Sequence, residues 1–521
     1  MSTQKNTIVI ENPHQGWSRS LTGSTESAVR RIGGTDRNYA WSAAGVTLMR
    51  SGYEGHMTPG FVFDALTDAT PKVNELPLNA AVTSATNTPV WVMLRNARMV
   101  KFDMNDDTVD TIRTAIDIGL TLPEADNHDI LTHRNSAGAE KIFYSYDTSD
   151  LTTKSDIGIM ANDGNTIDDD FFSSRTGGAR LEIDVPLKMW VGPDSNVYCT
   201  NGRYVAVYDT LTDRANAQAL DLGAGWVATS GIKYQNYNVI VAYKAETGYS
   251  GGGTTNFSWG QVRVIFWNGY DPRYNYQYDI PDNKSGAIEL FGDELRVYTA
   301  GRSRSTKCWK FQGDGFGKGP LFETPSTSIS IPIHGQVGQF RNHTIFPSYN
   351  AANYELFAYG ANDPQVELPG LHSITPNNTG WGFVKELRSN MLFVGSKDGA
   401  SSWSIRKLNE AKYGDAGVFY SRNYPLPRSS TIERIRFYFS LFDASQSLDI
   451  NIYKNGNGSS TAISETLTQA ELGNTYYHTI TNQITDVNSV CLSYKFNTTS
   501  STSGIAIRRI EIDYSYETNT I

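Results

Sequence analysis

Short apolar segments alternate with tight polar turns along most of this chain, and the apolar segments have the length of β-strands rather than helices. The pattern is clearest around seven Asn or Asp turns. WVML and ARMVKFD flank Asn96, HDILTHR and EKIFYSYD flank Asn135, and NVYCT and RYVAVYD flank Asn201-Gly202. IKYQ and YNVIVAY flank Asn236, AIELFG and ELRVYTA flank Asp293, VGQFR and HTIFPSY flank Asn342, and KELRS and MLFVGSK flank Asn390. Asn and Asp tolerate left-handed backbone angles, and Asn-Gly favours a two-residue hairpin. Six intervals separate Asn96 from Asn390, a mean spacing of about 49 residues, which is the length of a four-stranded propeller blade. The pattern predicts an all-β chain with a β-propeller of about seven irregular blades over 41–427. A stack of β-sandwich domains is the competing architecture.

After Pro425-Leu426-Pro427 the alternation becomes cleaner: Ile432, Ile435, Phe437 and Phe439 are followed by Leu448, Ile450 and Ile452, and Asn455-Gly456 and Asn457-Gly458 close a hairpin. This predicts a separate C-terminal β-sandwich or jelly-roll over 428–521, joined through a proline-containing linker. Residues 1–40 are polar and aperiodic, and read as an extended arm that orders on a neighbouring subunit. Helix is considered only at Asp110–Leu120 and Leu408–Tyr413.

Composition narrows the function classes. With 45 Lys+Arg against 54 Asp+Glu, the net charge of −9 offers no phosphate-neutralising surface, so bulk nucleic-acid binding is disfavoured. Three cysteines, Cys199, Cys308 and Cys491, form neither a disulfide framework nor a metal knuckle by spacing. The N-terminal sequence shows no secretory signal, and no apolar run reaches membrane-spanning length; synthesis in a cytoplasm is expected.

Candidate chemistry is sparse. There is no phosphate-binding GxxxxGK[ST] loop, no HExxH and no GxSxG nucleophile elbow, so no catalytic, cofactor-binding or transition-metal residues are assigned. Asp163, Asn165, Asp168 and Asp169, with Asp170 beside them, supply hard oxygen ligands suited to Ca²⁺, though their order does not match an EF-hand. Ser396–Trp403 is similar to the Asp-box of sialidases, with the glycine one position early. That similarity keeps a glycan-cleaving propeller open as an alternative. Trp259, Tyr270 and Tyr274 belong to an aromatic cluster suited to sugar rings or protein interfaces, and Trp17, Arg30 and Arg31 are the contact residues expected of the arm.

The polar N-terminal segment, RIGGTDRNYAWSAAGVTLMRSGYEGHMTPGFVF, the irregular blades and the terminal GIAIRRIEIDYSYE together resemble virion-associated β-propeller proteins of tailed bacteriophages, of the tail or nozzle type. The resemblance lies in overall texture and carries no catalytic motif. It implies a non-enzymatic structural component of a phage particle, a tail or connector scaffold with a role in host attachment. The implied partners are further copies of itself, other virion proteins and a host surface glycan, and the implied location is the virion. A carbohydrate-binding, lectin-like protein is the third alternative.

Overall fold

The computed structural model describes residues 2–11, 40–44, 46–47, 58–59, 61–66 and most of 76–518. The larger exceptions in that last span are 105–108, 114–127, 149–153, 245–259, 325–330, 362–368, 398–402, 441–445, 456–460 and 499–504. Seven four-stranded antiparallel sheets follow one another as the blades of a β-propeller. Their first strands begin at Pro77, Asp129, Met189, Trp226, Lys284, Gly338 and Trp381, and these strands lie beside one another around the axis. Six blades are contiguous in sequence. The seventh takes Trp381–Arg388, Met391–Lys397 and Trp403–Tyr413 from the end of the repeat, and its outermost strand, Phe61–Ala65, from the beginning.

This layout explains why the predicted turns were unevenly spaced. Asn135, Asn236, Asp293, Asn342 and Asn390 fall between first and second strands, whereas Asn96 falls between second and third strands and Asn201 ends a second strand. The turn chemistry also differs from the expectation. In the two-residue turns the left-handed residue is the first of the pair: Gln235 (φ 53°), Gly292 (φ 55°), Arg341 (φ 53°) and Gly202 (φ 61°). The predicted Asn201-Gly202 turn is thereby shifted by one residue, because Asn201 still pairs with Tyr204 in the ladder.

Each gap between neighbouring blades is filled by a hydrophobic layer. Val90, Val92 and Leu94 of blade 1 pack with Phe383, Phe393 and Ile405 of blade 7, which closes the ring. Blades 3 and 4 meet through Trp190, Tyr198, Trp226, Ile240 and Trp267. A second strand touches both neighbours, so it is apolar on both faces; every residue of Pro89–Leu94 is buried. This is the origin of the nearly continuous apolar runs in the sequence.

Outside the propeller, nine strands hydrogen-bond into one branched sheet. Ser2–Glu11 pairs antiparallel with Ile507–Thr518 in unbroken register, from Ser2 opposite Thr518 to Glu11 opposite Arg509. Tyr424–Phe439 follows, then Ile484–Thr498, Ala416–Ser421 and Ala40–Ala44; Gln446–Lys454, Thr461–Thr468 and Tyr477–Ile480 branch from this path. Ile8, Ile10, Ile435, Phe437, Ile450, Leu492 and Ile510 share one core, which continues into Phe346, Phe357, Tyr359 and Leu371 of blade 6.

The sheet therefore departs from the sequence expectation in three respects. Its strands form a single hydrogen-bonded network that is not confined to 428–521 but draws in strands from both ends of the chain. Residues 2–11 of the expected arm form a strand within this chain, while 12–39 lie outside the described residues. Pro425 and Pro427 stand inside the Tyr424–Phe439 strand rather than in a linker.

Where the two stretches considered for helix are described they are strand; 114–120 lie outside the described residues. Asp110 lies in Val109–Arg113, and Leu408–Tyr413 is the end of Trp403–Tyr413, where pairing with Phe61–Ala65 overrides local propensity. Among the described residues the helix is a single turn, α1 (Gln469–Leu472), and no helix is long and apolar enough to cross a membrane.

Candidate functional site

Polar side chains from the inner strands meet at the propeller axis. The Asp129 carboxylate, from the first residue of blade 2's inner strand, is fully buried. It accepts hydrogen bonds from Asn79 Nδ2 of blade 1 at 2.6 Å, Met189 N–H of blade 3 at 2.7 Å and its neighbour Ile130 N–H at 2.9 Å. His334, on the segment leading into blade 6, places Nε2 at 3.4 Å from Asp129 Oδ2 and Nδ1 at 2.8 Å from Ser230 Oγ of blade 4. Lys188 Nζ donates to His128 O at 2.7 Å, and Lys385 Nζ of blade 7 donates to Ala80 O at 2.6 Å. Residues from blades 1, 2, 3, 4 and 7 are thus tied together across the axis.

Burial sets the electrostatics here. Desolvation lowers His334, with Lys188 and Lys385 acting in the same direction against Asp129, so the imidazole is neutral near pH 7. Desolvation likewise lowers Lys385, partly offset by Asp129.

Ser230, His334 and Asp129 have the contact order of a nucleophile, base and orienting acid. However, Ser230 is 0% exposed, so a substrate carbonyl has no path to its hydroxyl in this arrangement. The chain of contacts works as a strut between blades. No local motif announced it, since the three residues are spread from position 129 to 334. The available signal was a polar residue recurring within the inner strands or just before them, as in Asn79, Asp129, Lys188, Ser230, Ser285 and Lys385.

A second constellation lies on the outer part of blades 4 and 5. Tyr237 stacks edge-on to Tyr276 (5.8 Å between ring centroids) and to Phe266 (6.1 Å). Phe266 meets Phe311 (4.9 Å), which continues to Tyr234 (6.2 Å), Tyr278 (5.3 Å) and Phe316 (5.6 Å). Tyr276 is 53% exposed and Tyr270, on the adjoining loop, 77% exposed. That loop is ordered from within. Asn268 Oδ1 accepts the Tyr270 and Asp271 N–H groups at 3.0 and 3.1 Å, Asn268 Nδ2 donates to Asp271 Oδ2 at 2.6 Å, and Trp267 Nε1 donates to Asp271 O at 2.7 Å. Tyr270 is therefore a large exposed ring on a pre-organised loop, a form suited to contact with little ordering cost.

The structure separates the sequence-predicted residues. Tyr270 is exposed, while Tyr274 is half-buried against the Trp190–Tyr198–Trp267 layer. Trp17, Arg30, Arg31 and Trp259 lie outside the described residues.

The acidic cluster serves blade 2. Asp168 faces Arg175 at 3.6 Å, Asp169 accepts the Tyr144 hydroxyl at 2.6 Å, and Asp170 accepts Arg180 Nη1 at 2.8 Å. Asp163 is exposed, Asn165 lies outside the described residues, and no group of three metal-ligating side chains converges among the described residues. His128 and His133 diverge. His128 is buried and held down at about 3 by desolvation and then Lys188, whereas His133 Nε2 meets Ser195 O at 2.7 Å. Of the Asp-box-like segment, Lys397 and Trp403 form a cation–π contact at 5.8 Å across a strand pair; 398–402 lie outside the described residues.

No family model and no curated protein matches the chain. Solved structures similar to it are propellers of diverse description. A protein described as an oxidoreductase (glucose dehydrogenase) from Thermus thermophilus is 12% identical, covering 67% of this chain and 100% of its own at a TM-score of 0.36. The WD40 repeats of RRP9 are 12% identical, covering 68% and 100% at 0.38. The β-propeller domain of Cps50 (Swd1) from Myceliophteria thermophila is 8% identical, covering 67% and 99% at 0.40.

Proposed function

We propose that this β-propeller is a non-enzymatic structural component of a bacteriophage particle, a tail or connector scaffold that docks other proteins through its blade surfaces. The observation that carries the scaffold role is the contrast between its two constellations. The one with catalytic residue types is locked into inter-blade hydrogen bonds with its serine buried, whereas the rings that face solvent are Tyr276, at the edge of the aromatic array, and Tyr270, on its own pre-organised loop. Aromatic rings held on rigid loops are what protein interfaces use as anchors. The phage setting comes from the resemblance in sequence texture, and in a symmetric particle a modest patch gains strength by repetition.

Sedimentation velocity of the full chain tests the docking role. The expected result is an oligomer that shifts to a smaller species in a Tyr270→Ser/Tyr276→Ser double variant with unchanged far-UV circular dichroism. A monomer in both forms, together with absence of the protein from purified particles, overturns the reading.

The amide side chains of Gln235, Asn236, Asn275 and Gln277 beside the tyrosines favour a second reading, glycan binding, since stacked rings with hydrogen-bonding neighbours suit sugars. Retention of the wild type, but not the double variant, on immobilised host-surface glycan is its expected sign.

A further inference from the structure

The seam that closes the ring brings an amine, a carboxamide and a carboxylate together. Blade 1's inner strand, Pro77–Val82, lies beside blade 7's inner strand, Trp381–Arg388. The two approach closely: a Cβ on Gly382 would stand 2.3 Å from Pro77 O, so a side chain there would force the strands apart. Across the seam Lys385 Nζ stands 3.5 Å from Asn79 Oδ1 and donates to Ala80 O at 2.6 Å. Asn79 Oδ1 accepts the Ala80 N–H at 2.8 Å, while Asn79 Nδ2 donates to Asp129 Oδ1 at 2.6 Å. Asn79 and Asp129 are both buried. Each group has a part to play in amide exchange. Desolvation, partly offset by Asp129, lowers the Lys385 pKa and raises its share of neutral, nucleophilic amine. The Ala80 N–H polarises the Asn79 carbonyl and is in place for an oxyanion on Oδ1. Asp129 Oδ1 lies at the nitrogen that has to leave, and its other oxygen is fixed by Met189 N–H at 2.7 Å and His334 Nε2 at 3.4 Å. A carboxylate held in this way is placed to move a proton between two nitrogens.

We propose that Lys385 and Asn79 join in an isopeptide bond that closes the propeller covalently between blades 7 and 1. The Nζ lone pair attacks Asn79 Cγ, and the carbonyl electrons move onto Oδ1 against the Ala80 N–H. Asp129 takes the proton given up by Nζ and delivers it to Nδ2. The Cγ–Nδ2 bond then breaks and ammonia leaves. One amine and one carboxamide become one secondary amide and one ammonia, so the step needs no oxidant, cofactor or second protein. The bond ties position 79 to position 385 and turns six blades and the edge of the seventh into one covalent loop, which restricts the unfolded chain as a disulfide would. It is independent of the aromatic surface and stands whether or not that surface docks a partner.

Intact mass spectrometry of the denatured full-length protein is the test. The wild type should be lighter than its sequence by the mass of one ammonia, and tandem spectra of a digest should contain one branched peptide joining the Asn79 and Lys385 segments. Lys385→Arg keeps the charge and the donor to Ala80 O but is a far poorer nucleophile, so it should return the chain to its full mass; Asn79→Ala should do the same. In a folded Asp129→Asn protein most chains should stay unlinked, and complete linkage there removes Asp129 from the step. A folded wild type at the full mass of its sequence overturns the proposal whatever the variants do. So does an ammonia deficit that persists in Lys385→Arg, because the loss then comes from an asparagine cyclising on its own backbone.

Discussion

Two buried acids show how single residues hold the blades. Asp282, just ahead of blade 5, is fully enclosed and accepts Thr299 Oγ1 at 2.6 Å, Lys307 Nζ at 2.8 Å and Trp309 Nε1 at 2.9 Å, joining three positions of one blade. Asp282→Ala strands buried donors, and a loss of about 3 kcal/mol in urea unfolding is expected; a loss below about 1 kcal/mol would show that the blade re-pairs them. Glu289 is tuned in the opposite sense to an ordinary ion-paired acid. Burial pushes its carboxyl up to about 7 from 4.5, opposed by Arg296 and by hydrogen bonds from Thr344 and Tyr298. Between those pH values the unfolded chain has released this proton and the folded chain keeps it, so stability falls as pH rises through the window, by on the order of 3 kcal/mol in total. His128 works the other way. Its pKa drops from 6.5 to about 3, so stability falls as pH falls through that range. Glu289→Gln should remove the first slope and leave the second, giving a variant that gains on the wild type between pH 5 and pH 8. A stability difference that is the same at both pH values rules out the role assigned to Glu289.

At the level of strands, the local signal was good and the long-range signal absent. Val90–Leu94 and Val239–Ala242 read as strands because two blade interfaces demand apolar residues on both faces. The five first-hairpin turns were found for a similarly local reason. What could not be read was pairing across the chain. Nothing in FVFDA says that its partner is Trp403–Tyr413, and nothing in TQKNTIVIE says that its partner is Ile507–Thr518. Local sequence therefore leaves helix open for Leu408–Tyr413. The axial site was illegible on the same grounds, for Asp129, Ser230 and His334 meet only once the ring is closed. Closure itself is testable. Phe63 is 4% exposed and packs edge-on against Trp381 at 6.1 Å, and Asp64 accepts Asn409 Nδ2 at 2.6 Å. Phe63→Ala is expected to cost about 3–5 kcal/mol. Hydrogen exchange should quicken in Trp403–Asn409 while blade 3 stays protected. Equal loss of protection in all blades would mean that the outer strand is not a separate closing element.

For the whole molecule, the ring and the branched sheet share one organising device: the beginning of the chain completes structures that its end begins. Phe61–Ala65 finishes blade 7, and Ser2–Glu11 and Ala40–Ala44 finish the sheet built mainly from 416–518. The overall architecture was legible because blade length and strand texture repeat; the sheet's outline was not, because its strands come from opposite ends. There is a consequence for how the protein is made. On a ribosome adding about 5–20 residues per second, Ala65 emerges on the order of 20–70 s before Trp403 does. Throughout that interval the early strands present unsatisfied backbone edges with their partners still unwritten, the condition under which chains join to the wrong neighbour. Six blades can form in sequence during this wait, but the seventh cannot. The newborn chain is thus an open arc for most of its synthesis and becomes a ring only near its end. Holding those first strands apart from other nascent chains is then a requirement of its production, to be met by a chaperone or by dilution.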